Sequence, residues 1–263
     1  MRVAVFSPFG GFSREAGLVY LLANYLRGIF PEVVQLRCNG TFAVCDRDSE
    51  KSWRREISSC LECMRDQEKL ASWAGLPIKN FSEYLLPEDV EQTRAWILGL
   101  PTTALSEVEV NGLSLSKLCV GTFQNRFGSM EIDWHNKQHE QFIRRIYLGA
   151  TRVCMALERF NRLFLPSMCF VLGGDDYLSR SFLEVSRLQK LDTILFRLDL
   201  GSRGVQITRV LANAQLSCDL LLEDISLMRA DFKTWPSELL EIVDQVLNFA
   251  GVSDTQLDLP ISR

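Results

Sequence analysis

Four cysteines in one short stretch are the first residues whose types and spacing point to a chemistry. Cys38, Cys45, Cys60 and Cys63 follow the spacing C-x6-C-x14-C-x2-C. Four thiolates arranged as a tetrahedron bind a structural Zn²⁺ or hold an iron–sulfur cluster, and the close C-x2-C pair is the specific part of such a pattern. The alternative is four ordinary buried cysteines. The spacing predicts a four-cysteine site with Zn²⁺ as its cofactor, and an iron–sulfur cluster as the less favoured occupant.

Two other chemistries fit the sequence less well. A redox C-x2-C motif is expected directly after a strand of a βαβ unit, whereas polar residues precede Cys60. His135 and His139 have the spacing of two ligands on one helix face, but the sequence between them lacks the glutamate of the zinc-protease H-E-x-x-H motif. We therefore interpret these two histidines as part of an exposed helix surface.

Two glycine-containing turns carry groups suited to ligand binding. One runs from Ser7 to Ser13, and the other is Gly173-Gly174-Asp175-Asp176. Glycines let the backbone approach a ligand closely, and the N-terminus of a following helix offers N–H groups to an anion. The first turn matches neither the dinucleotide nor the P-loop fingerprint. The alternative is two tight turns with helix caps and no ligand. The predicted ligand-binding residues are Gly10, Gly11, Ser13, Gly174, Asp175, Arg180 and Asp199; the catalytic base is not placed.

These turns require strands before them and helices after them. Arg2–Phe6 has the composition of a short buried strand, and from Arg14 apolar residues recur at helical steps after a candidate N-cap, Ser13. Ser167–Leu172 is a continuous apolar run of the kind that forms a central parallel strand. Further strands are predicted at Val33–Cys38, Pro77–Phe81 and Thr193–Arg197, and further helices at Glu56–Ala74, Pro87–Leu98, Leu115–Gln124, His135–Phe164, Ser179–Gln189 and Ser237–Phe249.

Alternation of strands and helices at both ends of the chain predicts the fold class. We expect an α/β fold with a Rossmann-like parallel sheet and helices on both faces. A Cys-rich insertion at 38–75 and a β-hairpin around Asn111-Gly112 would be additions to that sheet. The whole of 1–250 is predicted to be a single domain, followed by a C-terminal tail at 251–263.

Composition limits the function classes. The chain has 263 residues, is 47% hydrophobic and carries a net charge of −4, which argues against general nucleic-acid binding. No apolar run approaches the roughly 18 residues of a membrane span, and the N-terminus does not resemble a signal peptide. The sequence therefore predicts a cytoplasmic protein without a transmembrane segment.

Several short motifs, taken in order, resemble the N-terminal half of bacterial GT-B type glycosyltransferases of capsule or surface polysaccharide synthesis. The matching stretches are Ser7–Gly11, Cys38–Cys63, Val171–Arg180 and Phe196–Gly201. The chain departs from that family in two places. Gly173-Gly174-Asp175 stands where Asn-Gly-Arg is typical, and Asp199 stands where a glutamate is usual.

The resemblance implies a function and a missing partner. A GT-B enzyme has a second Rossmann-like domain that binds most of the nucleotide-sugar, and this chain would correspond to the first half. Gly10-Gly11 and Asp175–Arg180 would then face the interdomain cleft and a sugar acceptor. The expected ligands are a sugar acceptor or a nucleotide-sugar, and the expected partner is a second GT-B half or another protein. The alternative is a non-catalytic Rossmann-like interaction module with a structural four-cysteine metal site.

Overall fold

The computed structural model of the chain describes residues 1–7, 19, 23, 26–42, 44–45, 57–73, 75–199 and 204–210. The strands within these ranges are β1 (Arg2–Phe6), β2 (Glu32–Arg37), β3 (Ile78–Asn80), β4 (Glu109–Val110), β5 (Leu113–Ser114), β6 (Met168–Leu172), β7 (Asp192–Asp199) and β8 (Gly204–Val210). The helices are α1 (Ile57–Trp73), α2 (Pro87–Gly99), α3 (Leu115–Phe127), α4 (Lys137–Phe164) and α5 (Tyr177–Leu188), with short 3-10 turns at Phe81–Tyr84 and Thr102–Glu107.

One six-stranded sheet organises the described part of the chain. Its strand order is β3-β2-β1-β6-β7-β8. The first five strands run parallel, and β8 pairs antiparallel with β7. Strand order and flanking helices together give the Rossmann-like α/β architecture that the sequence predicts.

The larger core lies on one face of this sheet. Phe6 and Leu36 point into it from the strands, and α3, α4 and α5 cover it. The ring of Phe6 stacks on Phe182 of α5 at 4.8 Å between centroids and meets Phe81 edge to face at 5.6 Å. Aromatic pairs of this kind stabilise a core beyond the area that they bury. The central strand is therefore fixed directly to α5.

The opposite face of the sheet is buried as well. Val3, Val5 and Val33 alternate with the residues of the larger core and have at most 3% of their surface exposed. Val19, Ala23 and Leu26, which belong to helical residues between β1 and β2, are equally buried. Strands covered on both faces explain why β1 and β6 are nearly continuous apolar runs.

A second, two-stranded antiparallel sheet joins β4 to β5 around Asn111-Gly112. Asn111 has φ 52° and Gly112 has φ 78°. Two consecutive residues in the left-handed region match the twist of an antiparallel pair, and Asn-Gly adopts that conformation more easily than other dipeptides. The structure therefore has a two-stranded antiparallel sheet at this dipeptide, with two residues in each strand.

Two helices begin where their caps dictate. Pro87 occupies the first turn of α2, where its missing N–H costs nothing, and Asp89 accepts a hydrogen bond from the Leu86 N–H at 2.8 Å. The helix predicted from Ser179 begins at Tyr177, because Asp176 is its N-cap. The helix predicted at Ser237–Phe249 and the tail at 251–263 lie outside the described residues.

None of the helices in the described ranges combines the length and apolar character that crossing a membrane requires.

Candidate functional site

Strand order places the ends of β1 and β6 side by side. Phe6 is in register with Val171, so the chain leaves both strands at the same edge of the sheet. From β1 the neighbours run outward to β2 and β3, and from β6 they run the other way to β7. The crevice at such a reversal is where open α/β sheets bind ligands. This edge is therefore the candidate site that topology gives.

The predicted residues divide at this edge. Gly10, Gly11 and Ser13 follow β1 in the sequence and lie outside the described residues. Gly174 and Asp175 lie in the turn after β6, and Arg180 lies in the first turn of α5, which follows that turn. Asp199 ends β7 in register with Gly204 of β8, three residues past Phe196, the last β7 residue that pairs with β6. The four described residues thus follow or end neighbouring strands at one sheet edge.

The turn after β6 depends on its two glycines. Gly173 has φ 100° and Gly174 has φ 111°, values that side chains with a Cβ rarely adopt. The Gly174 N–H donates to the Ser179 hydroxyl at 2.6 Å. Gly121 of α3 packs so closely that a Cβ on it would lie 2.0 Å from the Asp175 carbonyl oxygen. The turn is therefore held in one conformation by α3 and by its own helix.

The two aspartates of this turn have different surroundings. Asp176 is 4% exposed and accepts hydrogen bonds from the N–H groups of Leu178 at 3.0 Å and Ser179 at 2.9 Å. It also bonds to the Ser179 hydroxyl. Burial raises the pKa of the Asp176 carboxyl against the opposing effect of these hydrogen bonds. Asp176 is a helix cap, while its neighbour Asp175 is exposed.

The N-terminus of α5 has no N–H left for an anion in its first turn. Tyr177 donates its N–H to the Thr122 hydroxyl at 2.8 Å, and the next two N–H groups go to Asp176. The Arg180 N–H bonds to the Asp176 carbonyl at 2.9 Å. Phosphate binding at a helix end requires unoccupied N–H groups. The end of α5 is therefore not built as a phosphate site.

Arg180 is engaged along its own helix. Its guanidinium lies 3.2 Å from Glu184, which also pairs with Arg187 at 2.9 Å. The side chains of Arg180 and Glu184 are 15% and 11% exposed. A carboxylate shared between two guanidiniums partly neutralises both. Arg180, which the sequence predicts to bind a ligand, is therefore a weaker ligand for an anion than an unpaired arginine would be.

The four cysteines of the predicted metal site lie near the end of β2 and in α1. Burial raises the pKa of the Cys38 thiol, and the charge of nearby Cys63 raises it further. The Gln67 amide donates to the Cys63 sulfur at 3.5 Å. Within the described ranges, no three or more histidine, cysteine, aspartate or glutamate side chains come together as a metal site requires. The four-cysteine zinc site stays a prediction from spacing.

The two histidines do not form the exposed helix surface that the sequence predicts, because His135 precedes α4 and His139, within α4, is partly buried. His139 packs against the rings of Phe123 and Phe127 at 4.9 and 4.4 Å between centroids. Its Nδ1 accepts the Asp133 N–H at 3.2 Å. His135 is exposed. His139 therefore helps to fix the start of α4 against α3.

A second concavity was not found by sequence reasoning. A cleft of about 480 Å³ opens between α2, α4 and the β4–β5 turn. Trp96 and Gln92 line it from α2, Asn111 from the turn, and Glu158, Arg159 and Arg162 from α4. These residues come from three separate parts of the chain and form no local motif. The one residue type in this set that stands out in the sequence is Trp96, an aromatic residue on the surface of α2.

A scan against protein-family models and a search of the curated proteins both gave no match to this sequence.

Proposed function

We propose that the chain is the acceptor-side Rossmann-like domain of a GT-B type glycosyltransferase in polysaccharide or glycoconjugate synthesis. A sugar acceptor would bind at the carboxyl ends of β1 and β6. The observation that carries this proposal is the reversal of strand order between these two strands, directly before the Gly173-Gly174 turn that follows β6. A shared fold does not establish a shared function, so the proposal is argued from the site at the carboxyl ends of β1 and β6.

The occupied N-terminus of α5 favours an acceptor over a nucleotide at the β6 side. A nucleotide-sugar carries a diphosphate, which needs open N–H groups or cations. The first N–H groups of α5 are all used, and Arg180 is paired with Glu184. A saccharide hydroxyl needs no such charge compensation, and exposed Asp175 can accept its hydrogen bond.

The second candidate is a non-catalytic binding module on the same scaffold. It is favoured by the commitment of Asp176 to capping and of Arg180 to an ion pair, since both groups would otherwise be candidates for general acid–base chemistry. Under this alternative the sheet edge binds a ligand or partner without transferring a sugar. Both candidate functions place the ligand at the carboxyl ends of β1 and β6. They differ in whether a sugar is transferred to it.

The test measures thermal stability of the purified chain with separate nucleotide-sugars, free nucleotides and oligosaccharides. A ligand that binds the folded state raises the melting temperature by mass action. We expect a shift with oligosaccharides, which Asp175→Ala and Gly10→Val both reduce. Glu131→Gln is the matched control, because Glu131 is exposed and lies on the loop before α4.

Three outcomes separate the readings. A shift with oligosaccharides, followed by sugar transfer when a donor-binding half is added, supports the glycosyltransferase proposal. The same shift without transfer by any added half supports the binding module. A shift confined to nucleotide-sugars, or one that both site variants leave undiminished, contradicts the acceptor-side site.

A further inference from the structure

The cleft between α2, α4 and the β4–β5 turn has walls that are fixed to one another. Arg159 of α4 donates to the Tyr84 carbonyl and lies 2.6 Å from the Asp89 carboxylate at the start of α2. Asn111 in the turn donates its side-chain amide to Glu158 at 2.6 Å. The start of α2 and the β4–β5 turn are therefore each tied to α4 by hydrogen bonds. A cleft fixed in this way loses little conformational freedom when a ligand enters.

A second set of bonds reinforces the wall between α2 and α4. Arg152 is 8% exposed and donates to the Thr93 hydroxyl at 3.2 Å and to the Val90 carbonyl at 2.9 Å. Thr93 in turn donates to the Asp89 carbonyl at 2.7 Å. The volume of about 480 Å³ is within the range of small-molecule sites, and the bonds show that it is a formed feature of the fold.

The lining combines one aromatic face with planar polar groups. Trp96 is 39% exposed, which leaves part of its indole open to the cleft. Around it stand two amides, a carboxylate and a guanidinium, on Gln92, Asn111, Glu158 and Arg162. Together these groups offer both hydrogen-bond donors and acceptors. A pyranose ring needs this pairing, because it has an apolar C–H face and an edge of hydroxyls that both donate and accept.

Other small ligands fit the lining less well. An inorganic or nucleotide phosphate would meet the Glu158 carboxylate, and Arg159 is already neutralised by Asp89. Asn111 and Glu158 bond to each other, but a fully apolar ligand would satisfy none of the remaining hydrogen-bonding capacity of the amides, the carboxylate and the Arg162 guanidinium, which is costly in a small cleft. The polar lining and the single aromatic platform together select a neutral, hydroxyl-rich ring.

We propose that this cleft binds a neutral saccharide unit, with its ring stacked on Trp96 and its hydroxyls bonded to Asn111, Glu158 and Arg162. The site shares no residue with the sheet edge between β1 and β6. It therefore stands or falls separately from the proposed function, although it would serve the same class of ligand as a second contact for a longer chain.

The experiment titrates the whole chain with maltose, cellobiose, lactose and chitobiose up to about 10 mM, a range suited to weak saccharide binding. Indole N–H resonances are followed by ¹H–¹⁵N NMR. The chain has five tryptophans, and the Trp96 signal is assigned by its loss in Trp96→Phe. We expect at least one disaccharide to shift this signal selectively.

Variants separate the stacked ring from a general surface effect. Trp96→Ala should weaken binding about tenfold or more, measured by calorimetry, while Trp96→Phe keeps an aromatic face and most of the affinity. Asn111→Gly should weaken binding as well, and glycine tolerates the left-handed φ of this position. Leu98→Ala is the matched control, since Leu98 is 51% exposed on the same helix.

The proposal is overturned if none of the four disaccharides moves the Trp96 signal, or if Trp96→Ala and Asn111→Gly bind as tightly as the unmodified chain. Asp175→Ala, the sheet-edge variant, should leave binding at the cleft unchanged. Loss of affinity in Asp175→Ala with retention in Trp96→Ala would assign all saccharide binding to the sheet edge and none to the cleft. If Trp96→Ala does not fold, Asn111→Gly decides the question.

Discussion

Asp175 and Asp176 are adjacent in the sequence, and the structure gives them unrelated roles. Both fit the pattern of a polar turn after a buried strand, so residue types do not decide which one caps the helix. Capping depends on the direction in which the backbone leaves Gly173 and Gly174, and both have positive φ values. That geometry turns Asp176 inward onto the α5 N–H groups and leaves Asp175 at the surface.

Removal of the Asp176 cap tests this assignment. Asp176→Ala should lower the free energy of unfolding by about 1–2 kcal/mol, the usual cost of losing a cap. Asp176→Asn keeps an acceptor oxygen and should cost less.

The same residue gives a prediction about pH. Because burial raises the pKa of Asp176 in the folded state, the unmodified chain should gain stability relative to Asp176→Asn as pH falls through that raised pKa towards 3.8. Urea denaturation at several pH values measures both effects. Equal stability of the Ala and Asn variants would argue against a capping role.

Asp89 is expected to show the opposite pH dependence. Its hydrogen bond with Arg159 holds the pKa of Asp89 below the ordinary value of 3.8, and the side chain is 11% exposed. The ion pair therefore contributes stability above pH 3.8, which is lost as pH falls through the lowered pKa of the folded state. Asp89→Asn should cost about 2 kcal/mol at pH 7 and less near pH 3. Urea denaturation at the two pH values is the measurement, with exposed Glu88→Gln in the same turn as control. A cost that does not change with pH would contradict the charge-based account.

At the scale of secondary-structure elements, α3 and α4 each pack closely against the β6–α5 turn at a glycine. Gly121 in α3 faces the Asp175 carbonyl, and Gly149 in α4 faces the Tyr177 ring, where an added Cβ would lie within 2.7 Å of it. Neither glycine has a positive φ, so backbone conformation does not require it. The close spacing of the elements requires glycine, because a side chain at either position would collide with the β6–α5 turn or with Tyr177 at the start of α5.

Gly121→Ala is the prediction that belongs to this scale. The methyl group would lie 2.0 Å from a backbone oxygen, which cannot rotate away as a side chain can. We expect a loss of about 1–3 kcal/mol, measured as the shift in urea midpoint. Gly99→Ala is the matched control, because no atom lies within 4 Å of its Cβ position and the residue ends α2. Alanine there should be neutral or slightly stabilising. Similar losses in the two variants would show that close packing is not the cause.

Elements differ in how well the sequence predicts them. The strand at Met168–Leu172 and the helix at Lys137–Phe164 could be predicted because their apolar patterns are long and local. Helix ends were predicted where a proline or glycine marks them, as at α2, and shifted where a cap depends on turn geometry, as at α5. The cleft around Trp96 could not be predicted, because its walls are more than ten residues apart in sequence and meet only through the packing of α2 on α4.

Strand order is the whole-molecule property that the local sequence leaves open. Each parallel strand shows an apolar pattern, but nothing in β1 specifies that β2 lies on one side and β6, more than 150 residues later, on the other. Crossover connections and burial on both faces decide it. The reversal between β1 and β6 follows from that order and creates the candidate ligand site.

Hydrogen exchange tests the strand order directly. Val5 lies between Gln35 and Phe170, with strands on both sides and helices or apolar residues on both faces. Ile78, in the outer strand β3, pairs with β2 on one side, has no strand on the other side among the residues that the structure describes, and is partly exposed. Amides in strands buried at the centre of a sheet open only with global unfolding, whereas amides in edge strands open locally.

We expect the amides of β1 and β6 to exchange on the order of 100-fold more slowly than those of β3, as measured by mass spectrometry of overlapping peptides. The two-sided pairing of β1 makes this ordering necessary, so protection of β3 equal to that of β1 would contradict the sheet order and, with it, the position of the candidate site.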